Sequence, residues 1–195
     1  MKKLLYMTLI ATTILTSCSS GFSAAERDII GASGDGIMPL WTVDVPEENA
    51  FLRLKAEPLK ASMVATPEFR ILKERMLATV CDPENEGVGI AAPQVGVSRR
   101  FVAVQRLDKE GEPFEFYINP EIIARSEERE LGGEGCLSVP DKRGEVWRST
   151  SIRLRYNSEH DFSVVEEDVE GFTAVIFQHE LDHLDGVLYI DYLEE

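Results

Sequence analysis

The chain is poor in cysteine, histidine and basic residues. Its 195 residues include three Cys and three His, and 20 Lys and Arg stand against 35 Asp and Glu. Three Cys cannot build a disulfide framework. The net charge of −15 repels phosphate backbones, so we expect no nucleic-acid partner. A hydrophobic content of 44% excludes a wholly disordered chain, and the length suits one folded domain.

The N-terminus predicts a secretory signal peptide over residues 1–17. Two lysines precede the uncharged stretch Leu4–Ser17, which is too short to cross a hydrocarbon core of about 30 Å as a helix. The segment ends in Leu-Thr-Ser-Cys18, which resembles the lipobox of bacterial lipoproteins and implies a lipid anchor on Cys18. An ordinary signal sequence cut near Ala24, or a misassigned start codon, is the alternative.

Residues 18–50 are expected to form a tether, because they contain scattered Gly and Pro and little periodicity. Residues 51–195 then form one α+β domain with short, antiparallel strands. Helical periodicity and capping signals predict helices over 67–81 and 172–184. Apolar or alternating patterns predict strands over 100–105, 114–118, 151–156, 163–169 and 187–193.

The segment His179-Glu-Leu-Asp-His183 has the pattern H-E-x-x-H on a predicted helix. Residues four apart lie one turn apart, so both imidazoles can bind one metal ion. Glu180 then lies beside the open metal position, where it can accept and return protons. Two surface histidines on an acidic helix would be the functionally silent alternative.

Cys136 is the best candidate for a third ligand. It follows Gly135 and precedes Leu137-Ser138, an unusual place for an inert core thiol, and thiolate binds Zn²⁺ or Fe²⁺ strongly. Asp185 and Asp191 are weaker candidates. Cys81, at the end of an amphipathic helix, is expected to be a small buried hydrophobe.

The segment Gly87-Val-Gly-Ile-Ala-Ala-Pro-Gln94 matches a dinucleotide-binding pattern, but its context does not. That pattern needs a strand before it and a helix after it, whereas here an acidic stretch precedes and Pro93 interrupts. The glycines instead favour close approach of an extended substrate to the backbone. Gln94 offers an amide donor.

Three blocks together resemble the peptide deformylase family: Gly87–Gln94, Glu134–Ser138 and Gln178–His183. The resemblance covers about Phe51 to Leu193. It implies a small α+β fold in which antiparallel sheets pack around a central helix that carries the H-E-x-x-H motif.

The resemblance also implies removal of formyl groups from N-formyl-methionyl peptides. It assigns one divalent metal ion, usually Fe²⁺, with Zn²⁺ or Ni²⁺ also accepted. The implied roles are metal binding by Cys136, His179 and His183, acid–base catalysis by Glu180, oxyanion stabilisation by Gln94 and the N–H of Leu137, and substrate-backbone binding by Val88, Gly89, Gly135 and Arg143.

Two features differ from the family pattern. The signal segment predicts a lipid-anchored enzyme in the bacterial cell envelope, whereas the family acts on nascent chains in the cytosol. The acidic end, Asp191–Glu195, replaces the basic tail of ribosome-docking members, so we expect no ribosome docking. An unprocessed N-terminus would mean a cytoplasmic location. A non-catalytic formyl-peptide binder and an H-E-x-x-H metallopeptidase are the alternative functions.

Overall fold

The computed structural model describes residues 21–32 and 36–193. The predicted signal peptide and Cys18 lie outside this range. The helices are α1 (Ala24–Ile30), α2 (Pro46–Leu52), α3 (Ala61–Val64), α4 (Pro67–Val80) and α5 (Gly171–Leu184). The strands are β1 (Gly89–Ala91), β2 (Phe101–Gln105), β3 (Phe114–Arg125), β4 (Arg129–Cys136), β5 (Val139–Ser149), β6 (Ser151–Asn157) and β7 (Val164–Glu170). Residues Ala92–Val95 and Tyr189–Tyr192 form 3-10 helices.

The named strands pair antiparallel throughout. They form a five-stranded sheet in the order β1-β2-β3-β6-β7 and a two-stranded ribbon, β4–β5. Strands β6 and β7 make the hairpin expected from segments 151–156 and 163–169. The predicted α+β class with antiparallel strands is confirmed.

The large sheet is buried on both faces near β2. Phe101 and Ala103 belong to a core cluster with α4, whereas Val102 and Val104 belong to a second cluster with α5. Because alternate residues of a strand point to opposite faces, β2 lies between the two helices. Helix α5 packs directly against β1 and β2, and this contact fixes its position in the domain.

Local signals place both long helices where they were expected. Thr66 begins α4, and its hydroxyl oxygen accepts a hydrogen bond from the Phe69 N–H at 3.3 Å. After α5, Gly186 has φ +75°, and an added Cβ there would collide with the Arg53 carbonyl, so glycine is required. Within residues 21–32 and 36–193, no helix is long and apolar enough to cross a bilayer.

Two strand predictions are wrong. Strand β3 does not stop at Asn119-Pro120, because register shifts beside these residues accommodate the proline and the strand continues to Arg125. The strand expected over 187–193 is replaced by a 3-10 helix. There the Asp191 carboxylate accepts a hydrogen bond from the Leu188 N–H at 2.9 Å and closes a turn.

The expected tether over residues 18–50 is also wrong where the chain is described. Phe22, Ile30 and Met38 are buried in the core cluster that contains α4. The Arg75 guanidinium on α4 donates hydrogen bonds to the carbonyls of Ile29, Ile30, Gly36 and Ile37. These contacts make the N-terminal segment part of the folded domain.

A buried ion pair joins α1 to the loop before β2. The Glu26 carboxylate accepts two hydrogen bonds from Arg99, at 2.6 and 2.9 Å. The two side chains are 11% and 10% exposed, whereas Glu57, the other carboxylate on Arg99, is 73% exposed. Undocking α1 would leave the Arg99 charge without its buried partner, which is costly in free energy. The pair should therefore stabilise the docked segment.

Glu26→Gln should therefore lower the free energy of unfolding by about 3 kcal/mol, because the buried Arg99 loses its charged partner. Chemical denaturation at pH 7 measures this loss. Glu57→Gln is the matched control and should cost less than about 1 kcal/mol, because its carboxylate is exposed. Equal losses in the two variants would contradict the assignment to the buried pair.

The same pair predicts a pH dependence. Burial alone would raise the pKa of the Glu26 carboxyl, but hydrogen bonds from Arg99 and the Ser23 backbone outweigh it and hold the pKa below 4.5. A lowered pKa contributes stability at higher pH that is lost as pH falls through the folded-state pKa. The stability difference between wild type and Glu26→Gln should therefore be full at pH 7 and shrink below pH 4.5.

Candidate metal-binding active site

Helix α5 places two histidines and a glutamate on one side. The ring centroids of His179 and His183 lie 5.2 Å apart, one turn along the helix. Glu180 and His183 are buried, and His179 is partly buried. Phe172, at the start of α5, is 57% exposed.

Cys136 reaches the histidines from the end of β4. A register shift between Gly135 and Cys136 ends the regular pairing of the ribbon there. Its Sγ lies 3.2 Å from His183 Nε2. Donor atoms of Cys136, His179 and His183 all lie within 4.8 Å of one another, so the predicted ligand set is brought together.

Glu134 fixes the orientation of the His179 ring. His179 Nδ1 lies 2.8 Å from Glu134 Oε2, and this contact leaves Nε2 available as a ligand atom. Arg148 donates two hydrogen bonds to the same carboxylate and one to Asp182 at 2.6 Å. Burial alone would raise the pKa of Glu134, but the hydrogen bonds from His179 and Arg148 lower it to about 2.

Glu180 occupies space that exists because residue 89 is glycine. A Cβ added at Gly89 would lie 2.5 Å from Glu180 Oε1 and 2.8 Å from its carboxyl carbon. Among the described residues, Glu180 Oε2 is buried without a hydrogen-bond partner. Burial raises the pKa of this carboxyl to about 7. The structure thus gives Gly89 a steric role that sequence reasoning did not foresee.

Gln94 is held with its amide nitrogen toward Cys136. Its Oε1 accepts a hydrogen bond from the Ala91 N–H at 2.8 Å. Its Nε2 donates to Ser138 Oγ at 3.2 Å and lies 3.6 Å from Cys136 Sγ. Because the oxygen is occupied by Ala91, the donor end must face the candidate ligands.

Gln94, Cys136, His179 and Glu180 line a cleft of about 850 Å³. The segment that precedes β1 forms one wall and the β4–β5 ribbon forms another. The residues predicted to bind the substrate backbone all line it: Val88, Gly89, Gly135 and Arg143. Leu137, predicted as an oxyanion donor, lines it as well. Phe172 stands at its rim.

The donor set fits a divalent transition metal. One thiol and two imidazoles are ligands that Zn²⁺ and Fe²⁺ accept, and tetrahedral coordination places such donor atoms about 3.5 Å apart. Burial lowers the pKa of His183 and favours the neutral, ligating form. Burial also lowers the pKa of His179, but hydrogen bonds to Cys136 and Glu134 outweigh it and raise the value to about 10, so a metal ion would compete with that proton.

Comparison with known proteins identifies the family. The sequence model described as polypeptide deformylase matches residues 39–195. The chain belongs to the polypeptide deformylase family. The resemblance drawn from the three sequence blocks is confirmed.

Individual relatives agree with the family match. A peptide deformylase of Caulobacter vibrioides is 44% identical over 159 residues, which cover 80% of this chain and 88% of that protein. One from Afipia carboxidovorans is 42% identical over 78% of this chain and 85% of that protein. The crystal structure of a class I type b peptide deformylase from Acinetobacter baumannii, with Met-Ala-Ser bound, is 36% identical with a TM-score of 0.70. It covers 80% of this chain and 98% of that chain.

Sequence reasoning gave no role to Glu134, Arg148 or Asp182. Glu134 stands in one of the three quoted blocks, two residues before Cys136, so its position was a usable signal. The position of Arg148 offers no such signal in the sequence, because an arginine near the end of a strand usually faces solvent. Tyr189, whose ring stacks on His179 at a centroid distance of 6.0 Å, was expected in a strand.

Glu134→Gln should weaken Zn²⁺ binding about 10–100-fold, because His179 loses the charged acceptor that orients its ring. Competition with a chromophoric chelator measures the affinity. Asp182→Asn is the matched control, since it removes the other carboxylate from Arg148 without touching His179. An equal loss of Zn²⁺ affinity in both variants would mean that the effect is general loosening of the site.

Proposed function

We propose that this chain hydrolyses the formyl group of N-formyl-methionyl peptides at the cleft between β1 and the β4–β5 ribbon. The observation that carries the proposal is that three metal-ligand side chains converge, and that two of them, Cys136 and His179, line one cleft together with Glu180 and Gln94. Hydrolysis adds the oxygen of water to the formyl carbon and breaks its bond to nitrogen. Formate and a free amino terminus are the products.

Cys136, His179 and His183 would hold one divalent ion, of which Fe²⁺, Zn²⁺ and Ni²⁺ suit the donor set. When bound, the ion supplies Lewis acidity and lowers the pKa of water. Glu134 keeps the His179 ring in the ligating orientation. Arg148 donates hydrogen bonds to both Glu134 and Asp182 and so keeps the Glu134 carboxylate in place.

Glu180 moves the protons. Its carboxylate accepts a proton from the attacking water and delivers one to the departing amine nitrogen. The walls around it exclude bulk water, so the acceptor does not have to shed a hydration shell during the reaction. Gly89 keeps the required space free, because any side chain there would displace the carboxylate.

Gln94 and Leu137 stabilise the developing oxyanion. The Gln94 Nε2–H group is pre-oriented by the Ala91 N–H, and the Leu137 backbone N–H lies in the turn after Cys136. One such donor is typically worth about 3–4 kcal/mol in the transition state. A pocket that is tight around the formyl hydrogen should reject the larger acetyl group.

The substrate backbone would lie between the two walls of the cleft. Val88 and Gly89 come from one wall and Gly135 from the other, and backbone groups of these residues can pair with an extended peptide. Arg143 is paired with Gly135 across the ribbon, so its side chain stands over the same wall. This charge can hold a peptide carbonyl.

Glu180→Ala should lower formate release from formyl-Met-Ala-Ser by about 10²–10⁴-fold while Zn²⁺ stays bound, because only proton transfer is lost. Formate assay and metal content of the full chain measure the two effects. The control is Glu86→Gln, which changes an exposed carboxylate of the cleft wall and should keep turnover within a few-fold.

The same assay separates the alternative functions. Cys136→Ala should lose the metal as well as activity. Release of formate from formyl-Met-Ala-Ser, with no hydrolysis of its acetyl counterpart, is the result expected of a deformylase. Cleavage of internal peptide bonds instead would indicate a metallopeptidase, and tight binding without turnover would indicate a non-catalytic binder.

We further propose that the enzyme works in the cell envelope, held by a lipid on Cys18. The support is the sequence of residues 1–18 and the acidic charge, which disfavours binding to ribosomal RNA. Cell fractionation with mass spectrometry of the N-terminus should find a lipidated Cys18 in the membrane fraction, and Cys18→Ala should abolish this fraction. Cytosolic protein with residues 1–17 intact would overturn the location and leave the activity untouched.

A further inference from the structure

The outward face of the β4–β5 ribbon carries an exposed apolar pair for which the reaction gives no reason. Leu131 and Trp147 pair directly across the two strands. They are 46% and 54% exposed. Since directly paired residues of an antiparallel sheet point to the same face, the two side chains form one apolar surface.

This surface continues into the substrate cleft. The next pairs on the same face are Gly133 with Glu145 and Gly135 with Arg143. Gly133, Gly135 and Arg143 line the cleft. A Cβ added at Gly133 would meet no atom within 4 Å, so the path between the cleft and the apolar pair is open.

The edge of β4 is also suited to a peptide. In the part of the chain that the structure describes, β4 has β5 as its single hydrogen-bonded neighbour in the sheet. Its other edge borders the cleft at Gly133 and Gly135. An extended peptide that starts at the metal ligands can therefore run along this edge as an added strand.

The ribbon is held rigidly at this point. Arg148, directly after Trp147, is locked on the inner face by Glu134 and Asp182. Arg129 donates a hydrogen bond to the Trp147 carbonyl at 2.6 Å. The apolar pair therefore keeps a fixed distance from the ligand Cys136, about 17 Å along β4 at about 3.3 Å per residue.

We propose that Leu131 and Trp147 form a subsite for apolar side chains at about residues four to six of the substrate, where the formyl-methionine is residue one. The inference rests on the proposed function and extends it to the part of the peptide beyond the reacting end. A tryptophan at a fixed position supplies a large contact area at low entropy cost.

A lipid surface is the competing occupant of this face. Glu145 is exposed on the same face as the pair, and the chain as a whole carries a charge of −15. Both disfavour contact with anionic headgroups. Continuity with the cleft favours the peptide.

The test uses the full chain loaded with Zn²⁺ and three peptides: formyl-Met-Ala-Ser, the same peptide extended by three leucines, and the same peptide extended by three serines. The wild type should have a KM about five- to tenfold lower for the leucine extension than for the serine extension, with similar kcat. Trp147→Ser and Leu131→Ser should remove this difference and leave formyl-Met-Ala-Ser turnover unchanged.

Val164→Ser is the matched control, since Val164 is 65% exposed on β7 of the other sheet. It should keep the preference for leucine. Turnover of the short peptide with no preference in wild type would overturn this inference alone, whereas no formate from any peptide would overturn the proposed function. Loss of binding to phosphatidylglycerol vesicles in Trp147→Ser, with KM unchanged, would assign the face to lipid instead.

Discussion

The Glu134 carboxylate joins the two parts of the chain that make the site. It lies on β4, two residues before Cys136, and it binds His179 on α5 and Arg148 on β5. A metal site built from distant segments needs its ligands held at fixed separation before the ion arrives. The buried carboxylate provides this, because a shift of the ribbon away from α5 would leave charges unpaired in a dry interior. Because Arg148 directly follows Trp147 on β5, its bonds to Glu134 and Asp182 also hold the backbone beside Trp147 in place.

The catalytic carboxylate depends on a different kind of constraint, which is space. Glu180 is surrounded by protein, and Gly89 on β1 lies so close that a methyl group would strike it. Strand β1 is short and buried throughout, and it pairs with β2, which is covered by helices on both faces. The position of Gly89 is therefore set by the core of the domain. The same packing removes water from Glu180 and raises the pKa of its carboxyl.

Much of this could be predicted from the sequence because the relevant signals are local. The cap at Thr66 and the positive φ of Gly186 set helix ends within a few residues, and the spacing of His179 and His183 fixes their common side on any helix. Cys136 followed from the chemistry of its neighbours and the lack of better ligands. The role of Arg148 could not be predicted from local signals, since the two carboxylates that bind it, Glu134 and Asp182, come from other elements. The strand expected over 187–193 failed because the Asp191 side chain competes for backbone hydrogen bonds.

The N-terminal segment shows where composition misleads. Its glycines and prolines suggested a tether, but three buried side chains, Phe22, Ile30 and Met38, are enough to fix it on α4. The family match begins at residue 39, so the three docked side chains lie N-terminal to the matched region. Arg99 lies within the matched region, yet its buried partner, Glu26, comes from before it. Without α1, the carboxylate left to the guanidinium among the described residues would be that of Glu57, which is exposed, and such a pair contributes little. The segment and the loop that carries Arg99 are thus parts of one packing arrangement.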